Sequence, residues 1–293
     1  MLYGCLAAVY VIWGSTYLAM RIAVHEGLPP LLSAAIRFLS AGSVMLAYAR
    51  YRGAKFPAFA EWKRIAPVGA LLFVGGNGFV SVASQSIPSG GTAVVCATMP
   101  LWVGVLGFAV GERPTLREWM SLTVGFVGVL VLLGSPSLAG KPEHIALIIG
   151  SPILWAAGSL LSRRTKDVGG PHAGFVVPAM QMLTGGTALL IVALARGERI
   201  TSDATTHAWM ALAYLWVFGS LVGFTAYAWL LRNARPTVAT SYAYVNPILA
   251  VLIGAALYDE PLSWTTALAN VLIVGAVMLA LTRAPRSGAK VQS

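Results

Sequence analysis

Ten stretches of about twenty apolar residues follow one another down this chain with only short connections between them, and no other feature narrows its possible folds so far. They cover residues 2–24, 30–49, 65–86, 91–110, 118–134, 145–162, 174–194, 208–231, 237–257 and 264–282. At 1.5 Å per residue, about twenty residues cross the roughly 30 Å hydrocarbon core of a bilayer. Backbone groups in lipid must be paired within their own segment, so runs of this kind are helices. Composition agrees: 10% of the 293 residues are charged and 57% hydrophobic, where a soluble domain carries about a quarter charged and somewhat under half apolar. The sequence therefore predicts an all-α membrane protein of ten transmembrane helices. No soluble domain fits between the runs, so any activity belongs to the bundle and its loops.

The net charge of +10 invites a nucleic-acid reading, and the placement of the basic residues argues against one. With the N-terminus inside, the cytoplasmic segments hold Arg50, Arg52, Lys55, Lys63, Arg64, Arg113, Arg117, Arg163, Arg164, Lys166, Arg232, Arg235, Arg283, Arg286 and Lys290. The outer segments hold Arg21, Lys141, Arg196 and Arg199. This bias places both termini in the cytoplasm and predicts a multi-pass protein of the bacterial cytoplasmic membrane, in contact with lipid and not with nucleic acid. Cys5 and Cys96 both fall in apolar runs, which points to buried apolar roles and away from a disulfide. The opening "MLYGC" lacks the basic and apolar regions of a lipoprotein signal, so residues 2–24 read as a retained helix.

The chain also repeats itself. Pro100, Pro114 and Gly128 return as Pro247, Pro261 and Gly275 after a constant 147 residues, and Glu112 and Glu260 are one residue out of step. "VIWGSTYLAMR" from Val11 to Arg21 matches "ILWAAGSLLSR" from Ile153 to Arg163 more loosely. The expected organisation is two five-helix repeats, 1–134 and 145–282, followed by a cytoplasmic tail, 283–293. An odd number of spans inverts the second copy, an arrangement used by secondary transporters with a midplane site between the repeats.

These residues carry a resemblance as well. "IWGSTYLA", "AAIRFLSAG" and the paired endings "GERPTL…GFVGVLVLL" and "DEPLSW…VGAVMLAL" resemble the drug/metabolite transporter superfamily, in its EamA branch. Within that branch the chain is similar to the aromatic amino acid exporters of the YddG type. The resemblance implies ten helices in two inverted bundles, a central cavity, and export of amino acids or other small metabolites without ATP.

Pro100 and Pro247 each lie about 14 Å into their spans, near the midplane. Each removes a backbone donor, leaving a carbonyl four residues back that is tolerated only in a packed kink or beside a cavity. Helical phase suggests the lining. Asn77, Ser81, Ser84 and Gln85 form one polar stripe in the third span, Trp13, Thr16, Tyr17 and Met20 share a face of the first, and Tyr242 and Asn246 share a face of the ninth. Thr98, Met99 and Trp102 flank Pro100, and Trp155 with Ser159 is the second-half counterpart of the first-helix face. Taken singly, each could equally be interhelical glue or an interface anchor. The glycine clusters around Gly78 and Gly223 read as packing and hinge positions, since no phosphate-loop lysine follows them.

All ten Asp and Glu, and all four His, fall in loops or at span ends. A proton relay, a metal centre or an intramembrane hydrolase would bury such groups. The chain therefore reads as a transporter and not an enzyme, with no cofactor or metal, working by facilitated diffusion or exchange. Its expected cargo is a small amphipathic metabolite, with aromatic amino acids and methionine foremost. A multidrug or quaternary-cation exporter is the alternative, and a channel a remoter one. Arg37, roughly 10 Å along the second span, is either a contact for a substrate carboxylate or a structural group that snorkels to the surface.

Overall fold

Apolar length decides the elements of this computed structural model, which describes residues 1–109, 116–133, 138–162, 165, 168, 173–233 and 242–281. Seven helical segments are long and apolar enough to cross a membrane: Leu2–His25, Pro30–Tyr51, Phe59–Ala83, Ser89–Phe108, Pro142–Ser162, Gly174–Ala195 and Thr206–Tyr227. Three shorter apolar helices, Trp119–Leu132, Val245–Tyr258 and Trp264–Ala276, bring the set to ten. They coincide with the ten apolar runs. Glu112, Pro114, Arg163, Lys166 and the tail from 283 onward lie outside the described residues.

The structure departs from ten plain helices in three spans. The third begins at Phe59, ahead of its apolar run, because the Glu61 carboxylate accepts the Ala58 N–H at 2.7 Å and fixes a polar first turn. The fourth is not one kinked helix but two, Ser89–Cys96 and Met99–Ala109. Pro100 is the second residue of the latter, where a helix does not need its N–H. Pro247, by contrast, sits inside the continuous helix Tyr242–Tyr258. The third and eighth spans widen into π-helical segments, Ala70–Gly78 and Leu215–Val222. These segments fall on the two glycine clusters, and π turns inside α-helices are frequently functional.

Helix neighbours follow a regular scheme. The second span packs on the seventh and the fifth on the tenth, while the first sits among the eighth and ninth and the sixth among the third and fourth. Lipid offers no hydrophobic drive for such association, so close packing and small residues supply it. Gly42 lies against Leu183 and Ala179, Gly128 against Ile273, Gly14 against Leu249 and Gly90 against Val251. Larger side chains close the gaps between the second, third and seventh spans: Phe38 and Phe73 are fully buried with ring centroids 4.5 Å apart, beside Met182 and Leu189.

Candidate functional site

The centre of the bundle is a cavity of about 110 Å³. The first span contributes Trp13, Thr16, Tyr17 and Met20, which three- and four-residue spacing places on one helix face. Arg37 enters from the second span, Gly76, Asn77 and Val80 from the third, and Cys96 and Met99 from the two sides of the break in the fourth. Ser151, Pro152 and Trp155 come from the sixth span, Phe224 from the eighth, and Tyr242 and Asn246 from the ninth. Both sequence-marked halves therefore build it.

One wall is aromatic. Trp13 packs on Phe224, Tyr242 and Tyr227 with centroid distances of 5.3, 5.1 and 5.0 Å, and Tyr242 meets Tyr227 edge-on at 5.5 Å. Such pairs are worth about 0.5–1.5 kcal/mol each beyond their area, so the wall is preformed. The π-helical segments receive their neighbours in matching ways. Trp13 Nε1 donates to the Gly219 carbonyl at 3.2 Å, and Ser151 Oγ donates to the Gly76 carbonyl at 3.0 Å.

Two polar atoms of the lining are unspent. Asn77 Nδ2 and Asn246 Oδ1 are buried without a hydrogen-bond partner among the described residues. Leaving such a group bare costs about 1–3 kcal/mol, a cost that a polar guest removes. Cys96, expected to be an inert apolar filler, instead places its thiol between the Tyr17 and Ser151 hydroxyls on the cavity wall. Arg37 does not snorkel: it is 5% exposed and donates through Nε to Ser220 Oγ at 2.8 Å.

Six expected lining residues lie elsewhere. Ser81 is buried against the Met20 sulfur and lines a smaller neighbouring cavity, because the π segment rotates the stripe that began at Asn77. Ser84 turns back to the Val80 carbonyl and Gln85 is exposed. Thr98 is buried and bonds the Val95 carbonyl, while Trp102 packs edge-on against Phe126 at 5.0 Å, since the break at Ala97 and Thr98 restarts the helical phase. Ser159 is half-buried beyond the cavity. Gly78 and Gly223 do not line it either; they pack against Leu189 and against Trp13. Phe224 and Ser151 were missed, although Phe224 stands 147 residues after Asn77 and could have been read from the repeat.

A second polar cluster closes one end of the bundle. The Glu260 carboxylate accepts the Ser89 and Gly90 N–H groups at 2.7 and 3.1 Å and the Ser89 hydroxyl at 2.7 Å, and it pairs with Arg21 Nε at 3.2 Å. It is thus a buried cap on the fourth span, although it stands at a span end. Asp259, with φ 48°, turns the chain so that Glu260 folds back over Gly254. Arg21 Nη1 adds a bond to the Ile87 carbonyl at 2.8 Å. At the same end Glu198 accepts the Leu31 and Leu32 N–H groups, capping the second span, and Glu26 accepts the Thr205 hydroxyl.

A ten-helix bundle around a central, part-polar cavity is the architecture of a membrane carrier for small molecules. The EamA-like transporter family matches residues 1–134 and 143–282, and the chain belongs to that family. It is 42% identical over 279 residues to the uncharacterized inner membrane transporter YedA of Escherichia coli K12, covering 95% of this chain and 90% of that protein. It is 26% identical over 285 residues to the uncharacterized transporter YvbV of Bacillus subtilis, and 27% over 277 residues to protein PecM of Dickeya dadantii, covering 92% of this chain and 88% of PecM. A solved crystal structure with a TM-score of 0.66 and 22% identity, covering 94% of each chain, shares the fold.

Proposed function

We propose that this chain is a secondary transporter that exports small amphipathic metabolites, amino acids with aromatic or thioether side chains foremost, by alternating access and without ATP. The observation that carries the reading is a pair of buried amide atoms, Asn77 Nδ2 and Asn246 Oδ1, left without a partner among the described residues beside a preformed aromatic wall. An apolar side chain suits the wall; the amides offer a donor and an acceptor for the two ends of a zwitterion.

In this proposal the halves are inverted repeats, and the neighbour scheme supports them: each half's first helix lies among the third and fourth helices of the other. Equivalent positions differ in chemistry. Asn246 stands 147 residues after Met99, and Phe224 the same distance after Asn77. A pseudo-symmetric cavity with unlike ends suits a substrate with unlike ends. The charge bias puts both termini in the cytoplasm and the Glu260 cluster on the outer side, and the inner-membrane description of YedA accords with a cytoplasmic-membrane carrier.

A quaternary-cation exporter would use the same Trp13 wall as a cation-π cage. The Arg37 guanidinium on the cavity wall opposes that reading. Proteoliposomes holding only the purified chain test the proposal: labelled phenylalanine and methionine are expected to show saturable flux without ATP. Non-saturating flux with ionic conductance would instead indicate a channel.

A further inference from the structure

We propose that Arg37 is the anion receptor of the cavity and takes the carboxylate of the transported molecule, an assignment that rests on the cavity being the transport site. A structural arginine at this depth would spend its donors on helix-end carbonyls or on an acidic partner. Arg37 does neither. Its one hydrogen bond among the described residues runs from Nε to Ser220, and its guanidinium lies over the Phe38 ring at 4.6 Å from the centroid. No carboxylate among the described residues pairs with it, and the residue is 5% exposed.

A buried cation with so little compensation is costly, and the cost falls when an anion arrives. Ser220 and Phe38 hold one edge and one face of the guanidinium, which leaves the two Nη groups as a fork of the kind that grips a carboxylate bidentately. Arg37 also lines the smaller cavity, together with Met20, Ser33 and Ser81. The substrate class that follows is an amphipathic carboxylate, zwitterionic or anionic; amides and net cations are excluded.

Binding to the purified chain in nanodiscs tests this with matched pairs: phenylalanine against phenylalaninamide, methionine against methioninamide, and 3-phenylpropanoate as a carboxylate without an amine. The wild type is expected to bind each acid roughly tenfold or more tighter than its amide, the range of a hydrogen bond to a charged group. Arg37→Gln, verified as folded by its melting temperature, is expected to abolish the gap, and Arg37→Lys to keep part of it. Equal or tighter binding of the amides by the wild type overturns the assignment without any variant, as does a full gap in folded Arg37→Gln or the failure of every carboxylate to bind. Arg37-dependent binding of 3-phenylpropanoate without any binding of amino acids supports the receptor while ending the amino-acid reading.

Discussion

The indole of Trp13 rests on the α-carbon of Gly223, and its Nε1 bonds the Gly219 carbonyl four residues earlier at 3.2 Å. Trp155 meets Gly76 with the benzo edge of its indole, and the two glycines are 147 residues apart. Each cavity tryptophan thus occupies a recess that only glycine leaves in a helix of the other half. A methyl group at either glycine would overlap the ring, so Gly76→Ala and Gly223→Ala are expected to push a tryptophan out of place. Apparent affinity for phenylalanine falls roughly twofold to tenfold, the worth of an aromatic contact, while yield and melting temperature stay near wild type. Unchanged affinity in both variants would show the recesses to be idle packing.

The Glu260 cluster ties the ninth span to the fourth and, through Arg21, to the first. If it holds the outer side shut, Glu260→Gln loosens that side. The charge-assisted bonds lost are worth roughly 1.5–3 kcal/mol. The measurement is labelling of Cys96, a cavity thiol, by a membrane-impermeant thiosulfonate from outside, in a Cys5→Ala background. A severalfold faster rate in Glu260→Gln is expected. An unaltered rate would reduce the cluster to a helix cap.

Length and apolarity made the ten spans legible, and three-residue spacing made the first-helix face legible, since Trp13, Thr16, Tyr17 and Met20 all reach the cavity. What failed to carry over was phase. Counting residues at 3.6 per turn through the third span assumes an α-helix, and the π segment from Ala70 to Gly78 rotates everything after Asn77; Ser81 went astray for that reason. Trp102 went astray because the fourth span breaks before it. Glu260 was placed at a span end, and its burial was not legible because nothing local announces that Asp259 takes a left-handed turn and aims it inward over Gly254.

The two mid-span prolines occupy different positions, and their variants are expected to differ. Pro100→Ala supplies an N–H where the fourth span now breaks, which favours one continuous helix and displaces Met99 from the cavity wall. Pro247→Ala adds a hydrogen bond inside a helix that is already continuous. Flux in proteoliposomes, normalised to protein incorporated, is expected to fall severalfold in the first and less in the second. The reverse order would mean that the break in the fourth span has no part in transport.

Solute counterflow tests the carrier mechanism most directly. Liposomes containing only this protein are loaded with unlabelled methionine and diluted into a trace of labelled methionine, with no ATP and no ion gradient. A carrier that exposes one cavity to each side in turn exchanges inside for outside molecules, so labelled methionine is expected to accumulate transiently above its equilibrium level and then decline. Accumulation should disappear when the internal methionine is omitted. Labelled methionine that only rises to equilibrium, at the same rate with or without internal methionine, would contradict alternating access through this cavity.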